Sequence, residues 1–291
     1  MRIALVVVIA LVLSHCRPAG PADRGEIGAS IVNELPQPPE EEEQPSIKRE
    51  KVEIQLDTVK NEVEELAMVE VFPEEDTPFG NVLTSGEFHK EEIPDDATNS
   101  RWLGLFLSAN GSYYTKTTTL ITSTVFDPVM DADESDPSGI KISTPEADSV
   151  IILVQGMGDL QSGAVDFIAD FPKVILPDES FEFTYKDHFY RLFARGEKEQ
   201  IGGQWYTTRN YELFLERDQE ERITLLSSFP YFDDSEIVLL FIGDIDQDGG
   251  IDLIIDNSPK YNSFSPTLYL SGFVEGDVLV KPVGMSHFFG C

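Results

Sequence analysis

The run Ile237-Val238-Leu239-Leu240-Phe241-Ile242-Gly243-Asp244-Ile245-Asp246-Gln247-Asp248-Gly249-Gly250-Ile251-Asp252-Leu253-Ile254-Ile255 decides how this chain is read. Two short apolar runs, rich in β-branched residues and of strand length, flank a loop punctuated by glycine. That pattern is strand, loop, strand. Inside the loop, aspartates stand at positions 1, 3, 5 and 9. Four carboxylates so close together repel one another unless a cation lies among them. Calcium takes six to eight hard oxygen ligands, and a tight loop supplies them from side chains 1, 3 and 5, the carbonyl of 7, and a carboxylate or its water at 9. The candidate ligands are therefore Asp244, Asp246, Asp248, the carbonyl of Gly250, and Asp252. Gly249, at position 6, suits the positive φ of the sharp turn. With the ion bound, repulsion becomes attraction and binding free energy adds to folding free energy.

An EF-hand places its loop between helices and ends with Glu at position 12. Here position 12 is Ile255 and both flanks read as strands, so that architecture is excluded. The pattern Gly-Asp-x-Asp-x-Asp-Gly-x-x-Asp-Leu-Ile-Ile resembles the calcium-binding repeat of the FG-GAP or VCBS type. The resemblance implies an acidic loop joining two adjacent strands of a sheet, with calcium on the five positions named above. Such repeats ordinarily build propellers in arrays, and this chain has one copy. The nearest second candidate, Asp131-Ala132-Asp133-Glu134-Ser135-Asp136, lacks glycine at position 6 and has Pro137 at position 7. Only the loop and its ligands carry over. The layout is also similar to that of bacterial lipoproteins with one such loop near a C-terminal Gly-Cys, here Gly290-Cys291.

Outward from the loop, short apolar or alternating runs recur from Arg101 to the end. They include Trp102–Leu107, Tyr113–Val125, Val150–Val154, Phe181–Tyr185, Tyr211–Glu216, Ile223–Leu226, Thr267–Leu270 and Val278–Val283. Asn110-Gly111 is a hairpin signal. The expected fold is mainly β: an antiparallel sandwich or strongly curved sheet over residues 101–291, large enough for a core.

The first hundred residues differ in character. Ile3 to Leu13 form an apolar core behind Arg2, too short to span a bilayer, which suits an export signal over residues 1–15. Leu13-Ser14-His15-Cys16 resembles a bacterial lipobox, which implies lipidation of Cys16; His15 departs from the small residue expected there. A secretory signal cut near Gly20-Pro21-Ala22, or an uncleaved apolar anchor, are the other readings. Residues 16–50 are rich in proline and carry Glu40 to Glu43, which suits a disordered tether. Residues 51–100 are expected to be a partly ordered linker. Val52, Leu56, Val59, Val63 and Leu66 suit a short helix over about 57–69, although Val52, Ile54 and Leu56 also alternate as in a strand.

Charge narrows the partners. The net charge is −32, with 53 acidic and 21 basic residues. Such a polyanion is repelled by phosphate backbones, so no nucleic-acid partner is expected. Membrane contact is expected through the lipid anchor only, at the cell envelope outside the cytoplasm. Two cysteines, Cys16 and Cys291, exclude a disulfide-dense scaffold. No serine elbow or phosphate loop is present. His89, His188 and His287 read as surface or turn residues, and Trp205 with Tyr206 as core or hairpin residues or an aromatic sugar platform. No catalytic residue is singled out. The expectation is a calcium-stabilised binding module for a protein or glycan; the alternative is an extracytoplasmic polysaccharide hydrolase with structural calcium.

Overall fold

The computed structural model describes residues 68–74, 80–157, 160–202, 205–218, 222–274 and 276–290. The export signal, Cys16, the tether, Cys291 and most of the helix expected over 57–69 lie outside the described residues.

The chain from Ala67 onward forms one compact unit built of antiparallel sheets. Its first half contains β1 (Val82–Leu83), β2 (Gly86–Phe88), β3 (Trp102–Leu107), β4 (Tyr113–Thr118), β5 (Ile121–Val125), β6 (Gly139–Ser143), β7 (Ser149–Gln155) and β8 (Gly163–Val165). The second half contains β9 (Ser180–Tyr185), β10 (His188–Gly202), β11 (Trp205–Arg217), β12 (Arg222–Tyr231), β13 (Val238–Gly243), β14 (Asp252–Asp256), β15 (Ser263–Phe264), β16 (Pro266–Leu270), β17 (Lys281–Met285) and β18 (Phe288–Phe289). Two 3-10 turns, Lys90–Glu92 and Ala97–Asn99, interrupt the strands. The mainly β expectation therefore holds.

Three larger sheets follow the orders β1-β7-β3-β4-β8, β12-β11-β10-β9 and β13-β14-β16-β17; a small one runs β2-β6-β5. Three apolar clusters fasten them face to face. The first joins the β9–β12 sheet, through Leu192, Leu213 and Leu215, to Leu239, Leu253, Ile255 and Tyr269. The second joins Phe241, Ile254, Leu268 and Leu270 to Leu103, Leu105, Ile152 and Val154. The third joins Trp102 and Leu153 to Ile142 and Phe288. Strand alternation sends neighbouring residues to opposite faces. Leu253 and Ile255 thus enter one cluster and Ile254 the other, and the β13–β17 sheet is covered on both sides. This explains the unbroken apolar runs beside the aspartates, since a strand buried on both faces has no polar side. Leu253, Ile254, Ile255, Leu268 and Leu270 are fully buried, each contributing about 1.5–3 kcal/mol relative to an exposed side chain.

Two expectations are corrected. The domain does not begin near Arg101. Val82 and Leu83 pair with Val154 and Leu153, and Gly86–Phe88 pairs with β6, so residues 80–100 belong to the fold and not to a linker. Their acidic, proline-containing composition hid a two-residue strand whose side chains are fully buried. Val278–Val283 is not one strand: Leu279 and Val280 are buried outside any strand, and pairing starts at Lys281. By contrast, Asn110-Gly111 does close a hairpin, with Gly111 at φ 84° between β3 and β4.

Candidate metal centre

The acidic loop leaves β13 at Gly243 and enters β14 at Asp252, and these two residues are cross-strand partners that close its base. Ile245 and Ile251 are buried, the first in the cluster on one side of the β13–β17 sheet and the second in the cluster on the other. Both apolar loop residues therefore act as plugs, leaving the aspartates to turn toward one another. Gln247 at φ 63° and Gly249 at φ 95° make the sharp turn.

Ligand atoms of Asp244, Asp246 and Asp252 lie within 4.8 Å of one another. Asp252 is fully buried. Its Oδ2 accepts from the backbone N–H of Ile245 at 2.6 Å and of Asp246 at 3.2 Å. Its Oδ1 accepts from the N–H and the hydroxyl of Ser271 at 2.8 and 3.0 Å. Position 9 is thus the anchor that gathers the loop backbone. Asp246 accepts from the N–H of Asp248 at 3.1 Å and of Gly272 at 3.2 Å. A Cβ on Gly272 would meet Asp246 Oδ2 at 2.5 Å and Asp248 Oδ2 at 3.1 Å, so both carboxylates lean over this glycine. Asp248 Oδ1 accepts from the N–H of Gly250 at 2.6 Å and from the Ser271 hydroxyl at 2.9 Å. Gly250 sits between Asp248 and Ser271, as expected of a position whose side-chain space is filled by its neighbours.

Four residues that the sequence did not assign to the site complete it. Ser271 and Gly272 follow β16 and close over Asp246, Asp248 and Asp252. Tyr185 and Lys186 come from the tight β9–β10 turn. The Tyr185 hydroxyl donates to Asp244 Oδ2 at 3.0 Å, and the Lys186 ammonium lies 3.3 Å from the same oxygen. Among the described residues, Lys186 is the one cation ion-paired with an aspartate of the loop.

The electrostatics reflect crowding. Burial pushes the Asp246 carboxyl up to about 6, helped by the Asp248 charge. Burial, then the Asp246 charge, drives the Asp252 carboxyl well above the usual carboxylate range. Burial and the hydrogen bond to Asp244 push the Tyr185 phenol up. The donor set is all oxygen and carries excess negative charge against one ammonium, which fits a hard divalent cation.

The remaining candidates lie elsewhere. His89 Nδ1 is 2.5 Å from Asp127 Oδ2, and this hydrogen bond holds the imidazole above its ordinary value. His188 pairs with Asp218 at 2.7 Å, and His287 meets the buried Ser265 hydroxyl. All three partners come from other parts of the chain, not from the adjacent Asp187 or Ser286. Trp205 pairs with Gly202 through the backbone; Tyr206 bonds Glu236 and lies under Lys198, whose ammonium is 4.3 Å from the ring centre. That ring face is taken. A shallow hollow nearby is lined by Ile175, Tyr211, Phe232 and Glu236, with one carboxylate already committed to Tyr206. Comparison of the chain with protein-family models, curated proteins and solved structures finds no match to any of them.

Proposed function

We propose that this protein is an exported, lipid-anchored β-domain whose acidic loop takes calcium and stiffens an interaction surface for a protein or glycan. The observation that carries the reading is the convergence of Asp244, Asp246 and Asp252 between two paired strands. Asp244, Asp246, Asp248 and Asp252, with the Gly250 carbonyl, are the groups that would hold the ion. Asp252 also gathers the loop backbone through the N–H groups of Ile245 and Asp246. The cation supplies the charge that the cluster lacks. Because Tyr185 and Lys186 reach the loop from one hairpin and Ser271 and Gly272 from another, the ion ties together three chain segments at one end of the β13–β17 sheet. Loops tied to a rigid scaffold are where recognition surfaces ordinarily form. The anchor in this reading is Cys16, in the segment that resembles a lipobox.

The test is thermal unfolding of the full chain with calcium, with magnesium and with chelator. Calcium raises the midpoint, magnesium raises it less, and Asp246→Asn loses most of the calcium effect. Identical midpoints in calcium and chelator would sink the metal reading. For the anchor, Cys16→Ala should move the exported protein from the membrane to the soluble fraction; unchanged partitioning counts against it.

A further inference from the structure

Strand β5 pairs with β6 along one side, with Ile121 opposite Ser143 and Val125 opposite Gly139, and no other described strand pairs with it. Ile121 to Thr124 are exposed, and Ile121 retains 50% of its accessible surface. An open edge of this kind is a template for another strand, and proteins ordinarily guard it with charge, proline or a bulge. The longer outer strands β9, β12, β13 and β17 show such guards. β9 carries Glu182, and β17 carries Lys281, Pro282 and a register shift. β12 begins at Arg222 and is bridged by Phe72. β13 is covered by backbone bonds to residues 166–173, through Asp166, Ile168 and Lys173. β5 has no guard: Ile121-Thr122-Ser123-Thr124-Val125 contains no charge and no proline, in a chain of net charge −32, and its register is unbroken. Phe126, Val129 and Met130, directly after it, are exposed apolar residues.

The same five residues read almost identically in both directions about Ser123. Antiparallel pairing of two copies across a two-fold axis would set Ser123 against Ser123, Thr122 against Thr124, and Ile121 against Val125. Thr122 and Thr124 lie on the face of Ile142 and Ile140, so Ile121 and Val125 share the opposite face. The pairing therefore makes two aliphatic pairs on one face and two Thr–Thr pairs on the other, each a favourable cross-strand combination. On the aliphatic face the next residue inward from Ser123 is Lys141, already ion-paired with Glu87 at 3.0 Å, so no unpaired charge flanks the axis there. We infer that β5 is a self-complementary edge through which two copies of this chain join their β2-β6-β5 sheets into one six-stranded sheet.

Sedimentation equilibrium of the full chain tests this. A monomer–dimer equilibrium is expected, tightened by added salt because screening reduces repulsion between two polyanions. Ser123→Lys places like charges opposite each other on the axis and should give a monomer that keeps the parent chain's far-UV circular dichroism. In a Cys16→Ser, Cys291→Ser background, Ser123→Cys should oxidise to a covalent dimer far faster than Thr117→Cys, which faces solvent off the axis. A chain that stays monomeric overturns the proposal. So does a dimer indifferent to Ser123→Lys, or assembly that continues beyond two copies.

Discussion

Asp252→Ala isolates what holds the acidic loop when no ion is bound. The native carboxylate is fully buried and accepts four hydrogen bonds, three from backbone N–H groups and one from the Ser271 hydroxyl. Truncation strands the Ile245 N–H in a buried site, which costs about 1–3 kcal/mol. The Asp246 and Ser271 groups are partly accessible, and water recovers part of their loss. Relief of the cost of burying the charged carboxylate, and then of repulsion from Asp246, offsets some of the rest. The balance is a loss of about 3 kcal/mol, a large fraction of the roughly 5–15 kcal/mol that folded domains possess. Urea unfolding of the full chain in chelator should show the midpoint falling by the corresponding amount with the slope unchanged. Asp252→Asn, which keeps one acceptor oxygen and the volume, should lose less. A loss below about 1 kcal/mol for the alanine variant would refute the view that this carboxylate anchors the loop backbone.

Three further outcomes follow from the same geometry. Asp246 has a folded-state value raised from 3.8 to about 6, so in chelator its contribution to stability is full only below 3.8 and is lost as pH rises through 6; in calcium the sign reverses, because the ligand must be deprotonated. The difference in melting temperature between the parent chain and Asp246→Asn, followed from pH 4 to 7 in both media, reads this directly, and parallel curves would contradict it. Gly272→Ala drives a methyl group against Asp246 Oδ2, and calorimetric titration should show weaker calcium binding with little change in stability in chelator. Lys186→Met removes the ammonium beside Asp244, so calcium should bind a few-fold more tightly while the chelated protein melts earlier; unchanged affinity would mean that Lys186 does not compete for Asp244.

How much was legible depended on where each signal resided. β13, β14 and β16 were readable because burial on both faces demands continuous apolar runs. The longest strand, β10, was not recognised. Its outer half, Glu197-Lys198-Glu199-Gln200, is polar, and Gly196 at φ 141° marks a register shift; pairing with β11 holds it extended where its own composition does not. The aspartates could be identified because all stand within nine residues. Tyr185, Lys186, Ser271 and Gly272 could not, because packing between hairpins brings them to the loop. Ser271-Gly272, just after an apolar run, looks in sequence like any other turn.

The twice-covered sheet also has a bearing on the order of synthesis. Its strands lie between Val238 and Met285, whereas both sheets that cover it are encoded earlier, between Val82 and Tyr231. A ribosome therefore delivers the two outer layers first and the filling between them last. Until residues 238–285 emerge, Leu103, Leu105, Leu192 and Leu213 face water with no partner sheet to cover them. A nonsense mutation that removes the stretch from Val238 onward would uncover both clusters at once. The high negative charge on the rest of the chain then takes on a second role, since mutual repulsion keeps such waiting intermediates from associating with one another.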